Sequence, residues 1–206
     1  FYTHLGVMTM RKVIALLAII STPAFSQGYI GIQLGESDIQ DDINDGADIT
    51  EDTDTSVKLF GGVSVNDLVS AEVGVVDFGS YYFHFPAYDE HQNYDASAFY
   101  GAAVFTPQIT ETVRLLGKAG LAYWDLDATV RSDSLGIYGT GSGSGLDPMF
   151  GVGVEFLPSP QFAIRAEYER YMNVGDGTSV NFPGYGSVTA DGSDIDVFGV
   201  AATYSF

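Results

Sequence analysis

Four charged side chains interrupt stretches of the chain that otherwise consist of apolar and small residues. Two are carboxylates and two are cations: Glu72, Glu155, Lys118 and Arg165, with Arg114 and Glu167 nearby. An ion removed from water needs a partner of opposite charge, because an unpaired buried charge costs several kcal/mol. These four groups could neutralise one another inside a fold, either as a plug that fixes strand register or as a gate whose ion pairs exchange partners.

A second group of polar residues lies in the acidic segment 36–55, which contains no basic residue. Asp41, Asp45 and Asp52 have part of the spacing of a calcium loop. However, Ile43 occupies the third ligand position, and Asp52 replaces the bidentate glutamate. We therefore expect a solvated acidic loop with at most weak Ca²⁺ or Mg²⁺ association, and no dedicated metal site.

His84 and His91 lie in the aromatic segment 79–95. No Ser/His/Glu or Asp/His set can be assigned around them from the sequence, so we expect neither catalysis nor a cofactor. The segment is either a contact surface for a partner or an extension of aromatic residues at strand ends.

The elements that carry these residues are predicted to be strands, because apolar residues recur with a period of two. We place eight strands at about 28–36, 56–65, 68–78, 96–106, 112–128, 147–157, 161–173 and 194–206. Short turns alternate with long connections at 37–55, 79–95, 129–146 and 174–193. The third of these contains Gly139–Gly145, interpreted as a flexible linker. Strict alternation is typical of an outer-membrane barrel and not of a Greek-key sandwich.

Each strand has one apolar face and one face of small or charged residues. Val152 and Ile164 lie on apolar faces, whereas Glu155 and Arg165 lie on the opposite faces. The polar face suits a narrow lumen better than a solvated surface. We therefore predict an all-β fold, an eight-stranded antiparallel up-and-down transmembrane β-barrel. Aromatic residues near predicted strand ends are interpreted as interfacial girdles: Tyr81, Tyr82, Phe99, Tyr100, Tyr123, Trp124, Tyr168, Tyr171, Tyr204 and Phe206.

The beginning of the chain predicts export. Met10-Arg11-Lys12, an apolar run over 13–20 and the exit Ala24-Phe25-Ser26 have the pattern of a secretory signal peptide. Residues 1–26 are thus expected to be upstream residues plus a signal cleaved before Gln27, and 27–206 the barrel. The formal net charge of −19 argues against nucleic acid as a partner, and the absence of cysteine excludes disulfides.

Three segments resemble the OmpA-like transmembrane domain family: LFGGVSVNDLVSAEVGVVDFG (59–79), FGVGVEFLPSPQFAIRAEYERYMNVGD (150–176) and the closing VAATYSF. The resemblance covers essentially the whole chain after the signal. It implies a location in the Gram-negative outer membrane, with extracellular loops and the four charged groups facing the lumen. It also implies that the closing aromatics, Tyr204 and Phe206, are the signal that the assembly machinery reads.

Two departures from the family accompany this resemblance. An inward lysine of the family aligns with Ala103, which predicts a thinner lumenal charge network. The chain stops at Phe206, so the periplasmic peptidoglycan-binding domain of two-domain members is not expected.

From these observations we expect an outer-membrane barrel with a structural and surface-interaction role and a plugged lumen, because eight strands leave little room besides side chains. The alternatives are a narrow, porin-like channel for small solutes or ions and a barrel enzyme acting on lipid A. Expected partners are outer-membrane lipid and lipopolysaccharide, the outer-membrane assembly machinery, and host-surface or phage ligands at the loops. We expect a monomer.

Overall fold

The computed structural model describes residues 27–40, 48–51, 53–85, 89–132 and 136–206; for 48–51 and 85 it describes only the backbone. The predicted signal peptide lies outside these ranges. So do the three aspartates of the expected weak cation site: Asp41, Asp45 and Asp52. Within the part of the chain that is described, no helix is long and apolar enough to span a membrane.

The described residues form an all-antiparallel β structure. Its strands are β1 (Gly28–Gln40), β2 (Asp48–Glu51), β3 (Thr53–Ser64), β4 (Val69–Phe85), β5 (Glu90–Phe105), β6 (Val113–Ser132), β7 (Ile137–Phe156), β8 (Phe162–Val174), β9 (Ser179–Phe182), β10 (Gly186–Thr189) and β11 (Ser193–Ser205). The four-residue strands β2, β9 and β10 are additions to the edges of longer hairpins.

The eight long strands close into a ring. Each pairs with its neighbours in the order β1, β3, β4, β5, β6, β7, β8, β11, and β11 returns to β1. The Phe206 N–H donates to the Gly28 carbonyl at 2.9 Å, at the end of the barrel that carries the short turns. A closed ring leaves no long strand with a free edge, which is what a bilayer requires of a sheet. The predicted eight-stranded antiparallel barrel is confirmed.

Two hairpins extend far beyond the predicted strand ends. The segments predicted as long connections at 79–95 and 129–146 are mostly paired strand in β4–β5 and β6–β7. The interpretation of Gly139–Gly145 as a flexible linker is wrong, because this run is part of β7 and pairs with β6 throughout. Its alternate glycines lie close to Trp124 and Thr178, where an added Cβ would overlap these side chains. The run is glycine-rich because its inner face is closely packed.

The outer face of the barrel is apolar and exposed, as expected for a lipid-facing surface. Val152 is 61% exposed and Ile164 is 49% exposed, whereas Glu155 and Arg165 of the same two strands are each 4% exposed. The inside and outside faces therefore follow the predicted alternation.

The interior contains an apolar core on the long-loop side of the charged residues. It includes large buried side chains from many strands: Phe78, Tyr81, Trp124, Met149, Tyr171, Val197 and Ile195. Phe78 and Tyr171 meet edge to face with ring centroids 4.8 Å apart. Side chains of this size fill the cross-section of the barrel above the charges.

This core corrects part of the predicted aromatic girdle. Tyr81, Tyr100, Trp124 and Tyr171 are buried inside the barrel, whereas Tyr123, Tyr168, Tyr204 and Phe206 are exposed on its outer face. In β6, Trp124 shares the inward parity of Lys118. In β4, a register shift between Asp77 and Gly79 reverses which residues face inward after that point, so the Tyr81 side chain lies inside the barrel.

Candidate functional site

Charged side chains from five strands meet inside the barrel. We call this set the lumen cluster: Lys58 of β3, Glu72 of β4, Arg114 and Lys118 of β6, Glu155 of β7, and Arg165, Glu167 and Glu169 of β8. All except Arg114 are at most 4% exposed. Four carboxylates face four cations, so the formal charges of these residues cancel.

Lys118 lies at the centre of the lumen cluster. Its ammonium is 2.7 Å from Glu72, 2.9 Å from Glu167 and 2.6 Å from Glu169. An ammonium has three hydrogens to donate, so each has an acceptor here. Lys58 approaches the same two β8 carboxylates from the opposite side, at 3.1 Å from Glu167 and 2.8 Å from Glu169.

Arg165 connects Glu155 to Glu72, which Lys118 also contacts. Its Nε donates to Glu155 at 2.7 Å and its Nη1 donates to Glu72 at 3.0 Å. Arg114 donates to the second oxygen of Glu155 at 3.2 Å. The Arg114 side chain is 37% exposed, so this side of the lumen cluster reaches water at the short-turn end.

Tyrosine hydroxyls and aromatic rings complete the surroundings of the charges. Tyr29 and Tyr100 donate to the two oxygens of Glu72 at 2.8 and 2.7 Å. The Arg165 guanidinium lies 4.8 Å from the Tyr29 ring centroid, and the Lys58 ammonium 5.0 Å from that of Phe60. Buried charges with this many partners are held in one arrangement.

The structure brings together all four residues singled out in the sequence: Glu72, Lys118, Glu155 and Arg165. Sequence reasoning left out Lys58 and Glu169. Lys58 could have been found by parity, because it alternates with the outward residues Val57 and Leu59 in β3.

The inward position assigned to Ala103 by the family alignment is wrong. Ala103, aligned with an inward lysine of the family, lies on the exposed outer face of β5, and its neighbour Ala102 packs against the interior. Lys58 supplies the further lumenal cation from another strand.

The closing aromatics lie on the outer face at the short-turn end. Tyr204 is 43% exposed and Phe206 is 54% exposed. The Tyr204 ring packs against Phe162 of β8 with centroids 5.1 Å apart.

Comparison with known proteins gives consistent matches. The family model described as OmpA-like transmembrane domain matches residues 23–199. Outer membrane protein A of Escherichia coli O157:H7 is 27% identical over 162 residues, which are 78% of this chain and 44% of that protein. Outer membrane protein A of Salmonella typhi is 27% identical over 165 residues, 78% of this chain and 45% of that protein. The chain therefore spans less than half the length of these curated relatives.

Solved structures show the same fold at lower identity. Ail, the attachment invasion locus protein of Yersinia pestis, has a TM-score of 0.53 at 18% identity, covering 87% of this chain and 98% of that one. The outer membrane protein AlkL in lipid bilayers has a TM-score of 0.55 at 13% identity, covering 90% of this chain and 93% of that one. Both are outer-membrane barrels.

Proposed function

Because the chain belongs to the OmpA-like transmembrane domain family and is a β-barrel of the Gram-negative outer membrane, we propose that it is a closed, structural barrel that contacts partners through its extracellular hairpins. It acts as a monomer embedded in outer-membrane lipid and lipopolysaccharide. The observation that carries the proposal is the lumen cluster, in which four carboxylates face four cations and every member except Arg114 is buried. OmpA-like barrels are generally non-enzymatic, and no catalytic role is proposed.

Opening the lumen would require breaking several ion pairs together. Lys118 contacts three carboxylates, so moving it away leaves Glu72, Glu167 and Glu169 with fewer cations. Removing one partner from a buried pair is strongly unfavourable, by about 3–5 kcal/mol. The apolar core beside the lumen cluster adds a layer that contains few groups able to bind water. Both features support a plug over a gate.

Conductance in a planar bilayer tests the plug. The wild-type barrel should show only rare, small openings. Lys118→Met should raise their frequency, because it removes the cation shared by three carboxylates. Arg170→Met is the matched control, since Arg170 pairs with Asp196 at 2.6 Å on the outer face and lines no lumen. Large, steady conductance of the wild type would contradict the plug and favour the narrow channel.

The surface role is supported by exposed apolar side chains on the extracellular elements. Tyr138 at the start of β7 is 56% exposed, and Tyr185, between β9 and β10, is 75% exposed. Exposed aromatic rings are common anchors of protein interfaces. Ail has been crystallised with the heparin analogue sucrose octasulfate. The net charge of −19 here favours a protein or neutral glycan over such a polyanion.

Binding to intact cells tests the surface role. Phage adsorption and host-cell adhesion should fall for the double variant Tyr138→Ser/Tyr185→Ser. They should be unchanged for Val65→Ser, which alters an exposed apolar residue at the opposite end of the barrel. Equal binding by all three proteins would contradict a role for these rings.

A further inference from the structure

The tip of the β4–β5 hairpin places two imidazoles and a carboxylate side by side. His84 and His91 are directly opposite each other in the strand register. Their rings are stacked, with centroids 4.5 Å apart and planes 6° apart. Asp89 lies in the turn with a positive φ of 47°. Its Oδ1 is 3.8 Å from His84 Nε2 and 3.7 Å from His91 Nε2.

We propose that His84, Asp89 and His91 bind one divalent transition-metal ion of the zinc and copper class. One ligand atom from each residue lies within 4.8 Å of the others. Tetrahedral zinc with bonds of about 2.0–2.1 Å keeps its ligand atoms roughly 3.3–3.5 Å apart. Each imidazole binds a metal in the plane of its ring, so zinc binding requires both side chains to rotate out of their stacked arrangement until their nitrogens converge on one point beside Asp89.

The free nitrogens point to the same conclusion. His84 Nε2 is buried and has no hydrogen-bond partner among the described residues. His91 uses its other nitrogen, Nδ1, in a hydrogen bond with the Tyr82 hydroxyl. When Nδ1–H donates to that oxygen, the lone pair of His91 is on Nε2, which faces Asp89. Metal-binding histidines are usually oriented by such a partner on the second ring nitrogen.

The ligand types select the class of ion. Imidazole nitrogen favours zinc, copper and nickel, whereas calcium and magnesium favour sets made of oxygen atoms alone. The site is therefore distinct from any loose association of Ca²⁺ or Mg²⁺ with the acidic segments. Three protein ligands leave a fourth position for water. Arg131 of β6 lies opposite His91 in the register, and its positive charge opposes a bound cation and weakens the affinity.

Calorimetric zinc titration tests the site, using the untagged, folded chain in detergent micelles with a millimolar excess of Mg²⁺. Wild type should bind one zinc ion. His84→Ala, His91→Ala and Asp89→Asn should each weaken binding at least tenfold. Tyr82→Phe, which keeps all three ligands, should weaken it about 10- to 100-fold. Asp95→Asn is the matched control, because it neutralises an exposed carboxylate bonded to Ser80 in the same hairpin.

Histidine NMR provides the second measurement, since His84 and His91 are the histidines of the predicted mature chain. Both imidazole signals should shift together at one equivalent of zinc. The heat-dependent mobility of the barrel on gels verifies that each variant is folded. Absence of zinc binding by wild type up to about 1 mM would overturn the proposal. So would an unchanged affinity in the double variant His84→Ala/His91→Ala, which would place the ion on carboxylates elsewhere.

Discussion

Glu155 and Arg165 are directly opposite each other in β7 and β8, and Arg165 Nε donates to Glu155 at 2.7 Å. The same guanidinium donates to Glu72 of β4 at 3.0 Å. One side chain thus connects adjacent strands and also crosses the lumen. The contribution of this arrangement to the free energy of unfolding can be measured by substitution.

Arg165→Met should lower the free energy of unfolding by about 3–5 kcal/mol, because it leaves Glu72 and Glu155 buried with fewer cations. Urea unfolding can be followed by the fluorescence of Trp124, the only tryptophan of the chain, which is 2% exposed. Arg170→Met should have a much smaller effect, since its ion pair is on the outer face. Equal effects of the two substitutions would contradict the claim that the lumen cluster stabilises the barrel more than an ion pair on the outer face.

The double variant Arg165→Met/Glu155→Met should recover much of the loss. Both charges leave together, and Glu72 keeps Lys118 at 2.7 Å. Arg114 loses its partner but is 37% exposed, so water can solvate it. The coupling free energy of this double-mutant cycle measures the interaction. A double variant as unstable as Arg165→Met alone would show that the pair is not coupled.

Arginine on the lipid-facing surface should be costly. Val152→Arg or Ile164→Arg should each lower the free energy of unfolding in lipid bilayers by about 2–4 kcal/mol, because a cation near the middle of the bilayer loses its hydration. Val152→Leu keeps the side chain apolar and should be nearly neutral. Tolerance of both arginines would mean that the outer face does not contact lipid.

Two glycines offer a matched pair on opposite faces. A Cβ at Gly153, which faces inward, would overlap the backbone carbonyl oxygen of Ala166 in β8, whereas a Cβ at Gly117, which faces outward, meets nothing within 4 Å. Gly153→Ala should therefore destabilise the barrel by about 1–3 kcal/mol, the usual range for overpacking, and Gly117→Ala should not. The same urea titration distinguishes them, and the reverse order would contradict the packing described for β7 and β8.

Phe206→Ala separates assembly from stability. The substitution keeps the backbone hydrogen bonds between residues 206 and 28, which a deletion would remove. If the closing aromatic is the assembly signal, Phe206→Ala should slow insertion in cells and leave unfolding in vitro nearly unchanged. Phe156→Ala, another exposed aromatic at the same end, is the control. Normal insertion of Phe206→Ala would contradict the hypothesis that the Phe206 side chain is part of the assembly signal.

The membrane part of the fold could be predicted from sequence because alternation of apolar residues with small or charged ones is strong there. The extensions of β4–β5 and β6–β7 could not be predicted in this way. Their outward residues are mostly polar, so the sequence there lacks the apolar alternation of a membrane strand and has the composition of a loop. The inward position of Tyr81 depends on a bulge that no periodicity shows. The grouping of His84 and His91 with Asp89 depends on the register of the hairpin and on its turn.

The lumen cluster also links barrel closure to folding cooperativity. Lys58 and Glu169 are 111 residues apart in the chain, yet their charged groups are 2.8 Å apart. None of the four strand pairs joined by the long connections is balanced in lumen-cluster charge: β1–β3 contributes one cation, β4–β5 one carboxylate, β6–β7 two cations and one carboxylate, and β8–β11 one cation and two carboxylates. In a partly closed sheet, some of these charged side chains would face lipid or the protein interior without a partner of opposite charge. We therefore expect ring closure and neutralisation of the interior to occur together, with the chain entering the bilayer as one cooperative unit instead of hairpin by hairpin.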